Sequence, residues 1–310
     1  MESVIKKEPL VSVIINTRNR CKILSRAIDS ALGQTFIDFE LIVVDGASED
    51  DTRQVVEKYI QKDQRVKYIY IEENKNAAYC FNTGLKKALG KYISILDDDD
   101  EFFPTKLEKQ VKLMEERGES VGIVYCWEEF WDDKKDCRIR EGKETSKGQL
   151  YNQLLAGPCT GGGTLMFIRK SAIQKVGGFD DSIKFGSDYQ LNLNISEYYE
   201  HDFVPEVLVR THWNHLYVHL TTQKGGIIDY AAVIEYYEKI LKDHQKGFER
   251  YPRARFYHYQ SILSAASRSK KYQVWIRYLL KGLSEHVDFS HKMTFVGKAV
   301  KRLCASVFSR

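Results

Sequence analysis

Tyr92-Ile93-Ser94-Ile95-Leu96-Asp97-Asp98-Asp99-Asp100 is an apolar run that stops at four consecutive carboxylates. Its short, β-branched and aromatic first half predicts a buried strand, Tyr92 to Leu96, that delivers the acids to the edge of a sheet. Open α/β sheets take their ligands just beyond the strand C-termini. In an extended backbone side chains alternate, so Asp97 and Asp99 are expected on one side, Asp98 and Asp100 on the other. Adjacent carboxylates repel one another unless a cation or donors compensate them. Mg2+ or Mn2+ suits that role, because it favours hard oxygen ligands and is commonly held by one or two carboxylates plus substrate phosphates. A solvated acidic loop ahead of a helix that begins near Pro104 is the competing reading.

Upstream, strands and helices alternate. Leu10 to Ile15 reads as a buried strand that runs into Asn16-Thr17-Arg18-Asn19-Arg20, and Ile23, Leu24, Ala27, Ile28, Ala31 and Leu32 follow at helical spacing. Phe39 to Val44 reads as a second strand, entering Asp45-Gly46-Ala47-Ser48-Glu49-Asp50-Asp51-Thr52, and a helix takes Val55, Val56, Tyr59 and Ile60. A strand at Val66 to Ile71 and a helix from about Ala77 to Leu89 precede the acidic strand. This alternation implies a parallel, doubly wound sheet with the polar turns converging at one edge.

Those turns carry a resemblance. The segments Val11 to Arg20, Glu40 to Thr52, Asn82-Thr83-Gly84 and Gly90 to Asp100 resemble the nucleotide-sugar half of the inverting family 2 glycosyltransferases, whose fold is the Rossmann-like GT-A fold. Thr17, Asn19, Arg20, Asp45, Gly46, Ser48, Asp50, Thr52, Asn82, Gly84, Asp97 and Asp99 stand where the family's pattern has them. Arg18 replaces an aromatic residue that stacks on the nucleobase in many members, and a guanidinium plane also stacks on a base. Gly46 stands where some members have a second Asp, and Phe81 replaces the usual Arg before Asn82. Uridine is the first expectation for the base, with guanosine and thymidine open.

The resemblance continues past the sheet edge. Gly177-Gly178-Phe179-Asp180 precedes Ser187-Asp188, where the family has Glu-Asp and uses the Asp as general base, so Asp188 is the expected base. A helix cap at the same position is the plain structural alternative. The family often carries a His near the metal and diphosphate. His215 fits that place best, with His212 and His219 close to it. A zinc site is not expected, because no suitably spaced cysteine or carboxylate accompanies these histidines.

The resemblance therefore implies a metal-dependent inverting transfer of a sugar from a nucleotide diphosphate sugar to a hydroxyl of a glycan or lipid-linked acceptor, in cell-surface polysaccharide synthesis. Asp99 and His215 would serve the metal. Thr17, Arg18, Asn19, Arg20, Asp45, Gly46, Asn82, Asp97 and Asp98 would serve the nucleotide sugar. A pyrophosphorylase would want a glycine-rich triphosphate loop after the first strand, and the turn from Asn16 to Arg20 has no glycine. A non-catalytic carbohydrate-binding scaffold would be expected to lack the metal carboxylates or the base.

Elsewhere, Gly122 to Trp127 reads as a strand, Trp127 to Asp136 as an edge or hairpin segment, Lys134 to Gly148 as a mobile surface loop and Thr164 to Ile168 as a strand. Gly161 to Gly163 allows close approach of backbone to a ligand, and a tight bend explains it equally well. Together with the aromatic residues from Trp127 to Trp131 it is a candidate acceptor groove. Val204 to Arg210 reads as a further strand. The expected division is 1–225, with a nucleotide-sugar half (1–100) and an acceptor half (101–225), followed by a helical region, 226–310.

The chain has 310 residues, 43% of them apolar, and a net charge of +4. That composition fits a globular protein able to bury a large core. Its six cysteines are scattered without metal-finger spacing, and neither a signal peptide nor a membrane-spanning run is recognised. A cytoplasmic location is expected, and no nucleic-acid partner. From Lys242 onward the chain carries 15 Lys and Arg against 4 Asp and Glu. Its last stretch, with Phe295, Val296, Ala299, Val300, Leu303 and Val307 on one helical face and Lys298, Lys301 and Arg302 at the flanks, reads either as an ordinary surface helix or as a peripheral contact with the inner face of a membrane.

Overall fold

The computed structural model describes residues 8–73, 75–184, 186–214 and 228–308, with side chains as far as 303. They divide into two compact units. The first holds the chain to Leu150 together with Thr160–Ser182 and the part that begins at Ser187, and the second holds Tyr151–Cys159, Ile183–Gly186 and the C-terminal helices.

In chain order the first unit runs β1 (Val11–Thr17), α1 (Leu24–Leu32), β2 (Phe39–Gly46), α2 (Thr52–Ile60), β3 (Val66–Ile71), α3 (Ala77–Lys87), β4 (Tyr92–Asp97), β5 (Glu101–Phe102), α4 (Lys106–Arg117), β6 (Val121–Asp132) and β7 (Cys137–Gly142). The short α5 (Tyr151–Leu155) belongs to the second unit, after which β8 (Phe167–Arg169), α6 (Lys170–Val176), α7 (Ser187–Ser196) and β9 (Glu200–Trp213) complete the first. The described strands form one sheet in the order β3-β2-β1-β4-β8-β6-β9-β5, with β7 paired to β6. The β3-β2-β1-β4 block is wholly parallel. β8 runs antiparallel to β4 and β6, whereas β6 and β9 are parallel.

Alternation along the central strands feeds two cores. Val11, Val13 and Ile15 of β1 join Leu41 and Val43 of β2 and Leu24, Ala27 and Ile28 of α1 on one side. Ile14, Ile42 and Val44 join Ala78 and Phe81 of α3 on the other. Both faces of the block are thus covered, which is why these strands are continuously apolar. Gly84 lets α3 approach closely, since a β-carbon there would lie 2.8 Å from Ile14 Cγ2.

Two expectations for the middle of the chain are corrected. Lys134 to Gly148 is not one loop, because Cys137–Gly142 pairs with β6 as a hairpin strand. Its alternating charges conceal a strand whose stability comes from the partner's side chains, with the Arg140 guanidinium 3.6 Å from the centre of the Phe130 ring. The strand expected from Thr164 shrinks to Phe167–Arg169, because Gly163–Leu165 forms a 3-10 turn instead.

The second unit also holds α8 (Tyr230–Asp243), α9 (Gln245–Arg250), α10 (Arg255–Arg268), α11 (Tyr272–Ser284) and α12 (Phe289–Phe308). Its core gathers Ile234, Tyr259, Ile262, Leu263, Trp275, Tyr278 and Phe295. No described helix is long and apolar enough to cross a membrane.

Candidate active site

The turns after β1 and β2 hold each other before any ligand is considered. Asn19, at φ 55°, donates its backbone N–H to Ser48 Oγ at 2.8 Å and accepts from the Glu49 N–H through Oδ1 at 2.7 Å. Asp50 Oδ2 accepts from the Cys21 N–H at 3.1 Å. Asp45, fully buried, accepts from the Ser48 N–H at 2.8 Å and from the Tyr68 hydroxyl at 2.7 Å. Gly46 lies beside Cys80, whose thiol burial pushes up to about 11, with the Asp45 charge acting in the same direction and Arg18 against it.

Beside these turns, three consecutive residues at the end of β1 keep polar atoms without partners. Asn16 Oδ1, Thr17 Oγ1 and Arg18 Nε are shielded from solvent and make no hydrogen bond. Buried polar atoms are normally satisfied, so this row is a candidate recognition edge for a polar ligand.

The four acids are not arranged as an extended strand would place them. β4 ends at Asp97, and the chain turns so that the Asp100 N–H donates to the Asp97 carbonyl at 3.1 Å. Asp97 and Asp100 therefore share Thr164, whose hydroxyl lies 2.7 Å from Asp100 Oδ2 and 3.1 Å from Asp97 Oδ2 and accepts from the Asp97 N–H. Asp98 and Asp99 share Arg20 instead, at 3.5 and 2.8 Å from Nη1. Asp97 and Asp99 differ in their hydrogen-bond partners, yet of the neighbouring charges that of Asp99 acts most strongly on Asp97.

Charge at this turn is under-compensated. Burial, together with the charges of Asp99, Asp188 and Asp98, pushes the Asp97 carboxyl up to about 7. Burial and the charges of Asp97 and Asp99 hold Asp100 well above the usual carboxylate range. Arg20 loses solvation by burial, yet Asp98 and Asp99 outweigh that and raise its pKa. Among the described residues no group of three or more His, Cys, Asp or Glu could by itself hold a metal ion. A hard divalent cation that takes one or two carboxylates here and its remaining ligands from phosphate fits this donor set, and it would relieve the excess negative charge.

Asp188 stands at the start of α7. Burial raises its carboxyl, opposed by the backbone N–H groups of Tyr189, Asp188 and Gly163. The glycine turn runs between the two acids. A β-carbon on Gly162 would lie 2.4 Å from Asp188 Oδ2, and one on Gly163, at φ +48°, would lie 3.0 Å from Asp97 Oδ2. Both an Asp188 carboxylate and an Asp97 carboxylate are therefore within reach of one backbone segment.

Asn82 does not face this opening. Its amide donates to the Phe179 carbonyl at 2.8 Å and accepts from the Phe179 N–H at 3.0 Å, while Phe81 stacks on Phe179 at 5.1 Å. It clamps the Gly177-Gly178-Phe179-Asp180 turn. His212 is committed to carboxylates, with Nδ1 2.5 Å from Asp133 Oδ1 and Nε2 2.8 Å from Glu101 Oε1. His215 and His219 lie outside the described residues. The Trp127 indole N–H donates to the Glu144 carbonyl at 2.9 Å, and the Arg210 guanidinium lies 4.1 Å from the Trp131 ring centre. Sequence reasoning missed Thr164, because a lone Thr after glycines carries no signal of its own. It also missed the commitment of Arg20 to the acids.

Known proteins share both the sequence and the architecture. The chain is 35% identical over 216 residues to the uncharacterized glycosyltransferase RP339 of Rickettsia prowazekii, a match that covers 66% of this chain and 64% of that protein. It is 40% identical over 110 residues to the "Putative teichuronic acid biosynthesis glycosyltransferase TuaG" of Bacillus subtilis, covering 36% of this chain and 44% of that protein. Thus this chain spans less than two thirds of the length of these relatives. Among solved structures, TarS residues 1–349 of S. aureus in complex with UDP-GlcNAc superposes with a TM-score of 0.59 at 17% identity, covering 97% of this chain and 73% of that one. The mannosyltransferase PcManGT of Pyrobaculum calidifontis, in complex with GDP-Man and Mn2+, gives 0.56 at 17% identity, covering 98% and 89%. At such identity the likeness establishes the fold, which is the GT-A arrangement of a mostly parallel sheet flanked by helices. The model of the family "Glycosyl transferase family 2" matches residues 12–177, from β1 through the acid turn and the glycine turn to the end of α6, and on that match this chain belongs to glycosyl transferase family 2.

Proposed function

We propose that the chain transfers a sugar from a nucleotide diphosphate sugar, a UDP-sugar first, to a hydroxyl of a glycan or lipid-linked acceptor with inversion, in the building of a cell-surface polysaccharide. The observation that supports this reading is that Asp188 and Asp97 both lie against one glycine turn, beside Gly162 and Gly163. A single displacement needs a base on the acceptor side and charge compensation on the leaving-group side.

Asp188 takes the proton from the attacking hydroxyl. The backbone N–H groups on its carboxylate fix its direction, and burial strengthens it as a base. Thr17 and Arg18 offer their unpartnered polar atoms to the nucleoside, and Asp45 stands behind them with its hydrogen bonds already made. Asn19 and Asn82 act by holding loops, and Gly46 leaves room beside Cys80. Bound at Asp99, with Asp97 and Asp98 beside it and His215 from outside the described residues, Mn2+ or Mg2+ would offset charge on the departing diphosphate. Arg20 holds Asp98 and Asp99 in place for that task.

Titration calorimetry with UDP, GDP and dTDP, with and without Mn2+, tests the donor site. Metal-dependent binding of one nucleotide by the wild type and its loss in Asp99→Ala are expected. A folded protein that binds none of the three would remove the donor-site reading. Asp188→Asn should keep nucleotide binding and lose turnover by about two to four orders of magnitude.

A further inference from the structure

Helices α11 and α12 each turn large apolar side chains to solvent. On α11, Tyr272, Ile276, Leu280 and Leu283 are 48%, 53%, 59% and 39% exposed. At helical spacing these four fall within about 80° of one another, next to the sector of Trp275, Tyr278 and Gly282, which is buried. On α12, Phe289, Met293 and Val300 recur at the same spacing with exposures of 76%, 54% and 47%, while Phe295 and Ala299 are buried. A surface helix ordinarily turns polar residues outward; here the outward sector beside the packed one is apolar.

Charge says what can cover it. Neither helix contains a single Asp or Glu; α11 has Lys281 and Arg277, the latter paired with Glu238 at 2.8 Å, and α12 has Lys292, Lys298, Lys301 and Arg302. The helical unit also has a cleft of 670 Å³ lined by Arg250, Tyr251, Arg253, His286 and Lys292, in which Asp288 is the one acid. A second cleft, of 480 Å³, adjoins it through Arg253 and is lined by Lys298 and Arg302 with no acid. A second copy docked on these helices would bring together surfaces on which cations outnumber the acids Glu238 and Asp288, which is repulsive. An anionic bilayer offers apolar depth for the stripe and phosphates for the cations.

We propose that the helical unit docks on an anionic membrane surface, the exposed stripes of α11 and α12 entering the interface while the flanking Lys and Arg and the basic clefts meet lipid phosphates. This docking is independent of nucleotide chemistry, so it stands or falls separately from the transferase reading.

The test is co-sedimentation of the full chain with vesicles of phosphatidylcholine alone and of equal parts phosphatidylcholine and phosphatidylglycerol. Binding to the anionic vesicles, weakened by salt, is expected. The pairs Ile276→Ser with Leu280→Ser, and Phe289→Ser with Met293→Ser, should each weaken it by about tenfold without lowering the melting temperature, because the residues are exposed. Lys298→Glu with Lys301→Glu should abolish the preference for anionic over neutral vesicles. Three outcomes would overturn the proposal. One is no sedimentation with anionic vesicles at low salt, and another is sedimentation that these variants leave unchanged. The third is a dimer, seen by light scattering, that the serine variants convert to monomer while the wild type binds no vesicle.

Discussion

Gly162 passes Asp188 so closely that a β-carbon on it would sit 2.4 Å from the carboxylate oxygen Oδ2. No side chain fits there without moving the acid or the turn. Gly162→Ala should therefore reduce kcat by about a hundredfold, the scale on which an ångström of misplacement acts, with a smaller effect on nucleotide affinity. Steady-state kinetics beside calorimetry separates the two. Equal losses in both would mean that the turn serves the donor site alone.

Arg20 is the cation that Asp98 and Asp99 share. Its side chain is 4% exposed, so removing it takes a desolvated cation away from two neighbouring carboxylates. Arg20→Ala should lose about 3 kcal/mol of stability in urea unfolding. Mn2+ should restore part of that loss and stabilise the variant more than the wild type, since the acids it would meet are then less compensated. A variant indifferent to Mn2+ would argue against a cation at this turn.

His201 is buried, and neither ring nitrogen has a hydrogen-bond partner. Burial holds its pKa near 4, below the ordinary 6.5. The unfolded chain thus takes up a proton first as pH falls, so the ring contributes stability above 6.5 that is lost as pH drops toward 4. At pH 5 the loss should be about 2 kcal/mol. In His201→Leu the urea midpoint should fall less between pH 7 and pH 5 than in the wild type. Identical slopes would show that this ring does not titrate on unfolding.

Asn82 grips Phe179 by both backbone groups. Asn82→Ala should cost about 2 kcal/mol, two partly buried hydrogen bonds, and lower kcat because the released turn precedes Asp188. Asn82→Asp keeps the acceptor and should fall between the wild type and the alanine variant in both measurements.

Acid should slow the reaction as well as the fold. Asp188 must be deprotonated to accept a proton, and its carboxyl lies above the usual 3.8 through burial. The acidic limb of kcat/KM is expected above that value, and Asp188→Asn should remove it from any residual rate.

Much of the nucleotide half was legible in the sequence, because strands covered on both faces are written in unbroken runs of Val, Ile and Leu such as Val11 to Ile15. The turns were legible because their polar residues are used at fixed offsets from those strands. Legibility failed where one partner's sequence does not state its need for another. Cys137–Gly142 is charged and looks like a loop, and it becomes a strand only beside β6. The partners of the acids were not legible because Thr164 and Arg20, which hold them, lie far away in the chain. Lys106 is the extreme case. It is fully buried, with its amine 2.8 Å from Gln110 Oε1 and 3.1 Å from Ser94 Oγ, and nothing in a helix start of Lys106-Leu107-Glu108-Lys109 marks it as interior.

The mutual hold of the turns after β1 and β2 has a thermodynamic side. Asn19, Ser48 and Glu49 fasten the two segments with the protein's own groups, so on the proposed reading a nucleoside arriving beside Thr17 and Arg18 would meet backbone whose conformational freedom was surrendered during folding. Little entropy remains to be lost there on association. On the proposed reading, affinity at this edge is then governed by the hydrogen bonds the incoming base supplies to three polar atoms that the protein leaves shielded and unpartnered, and discrimination between bases becomes a matter of fit.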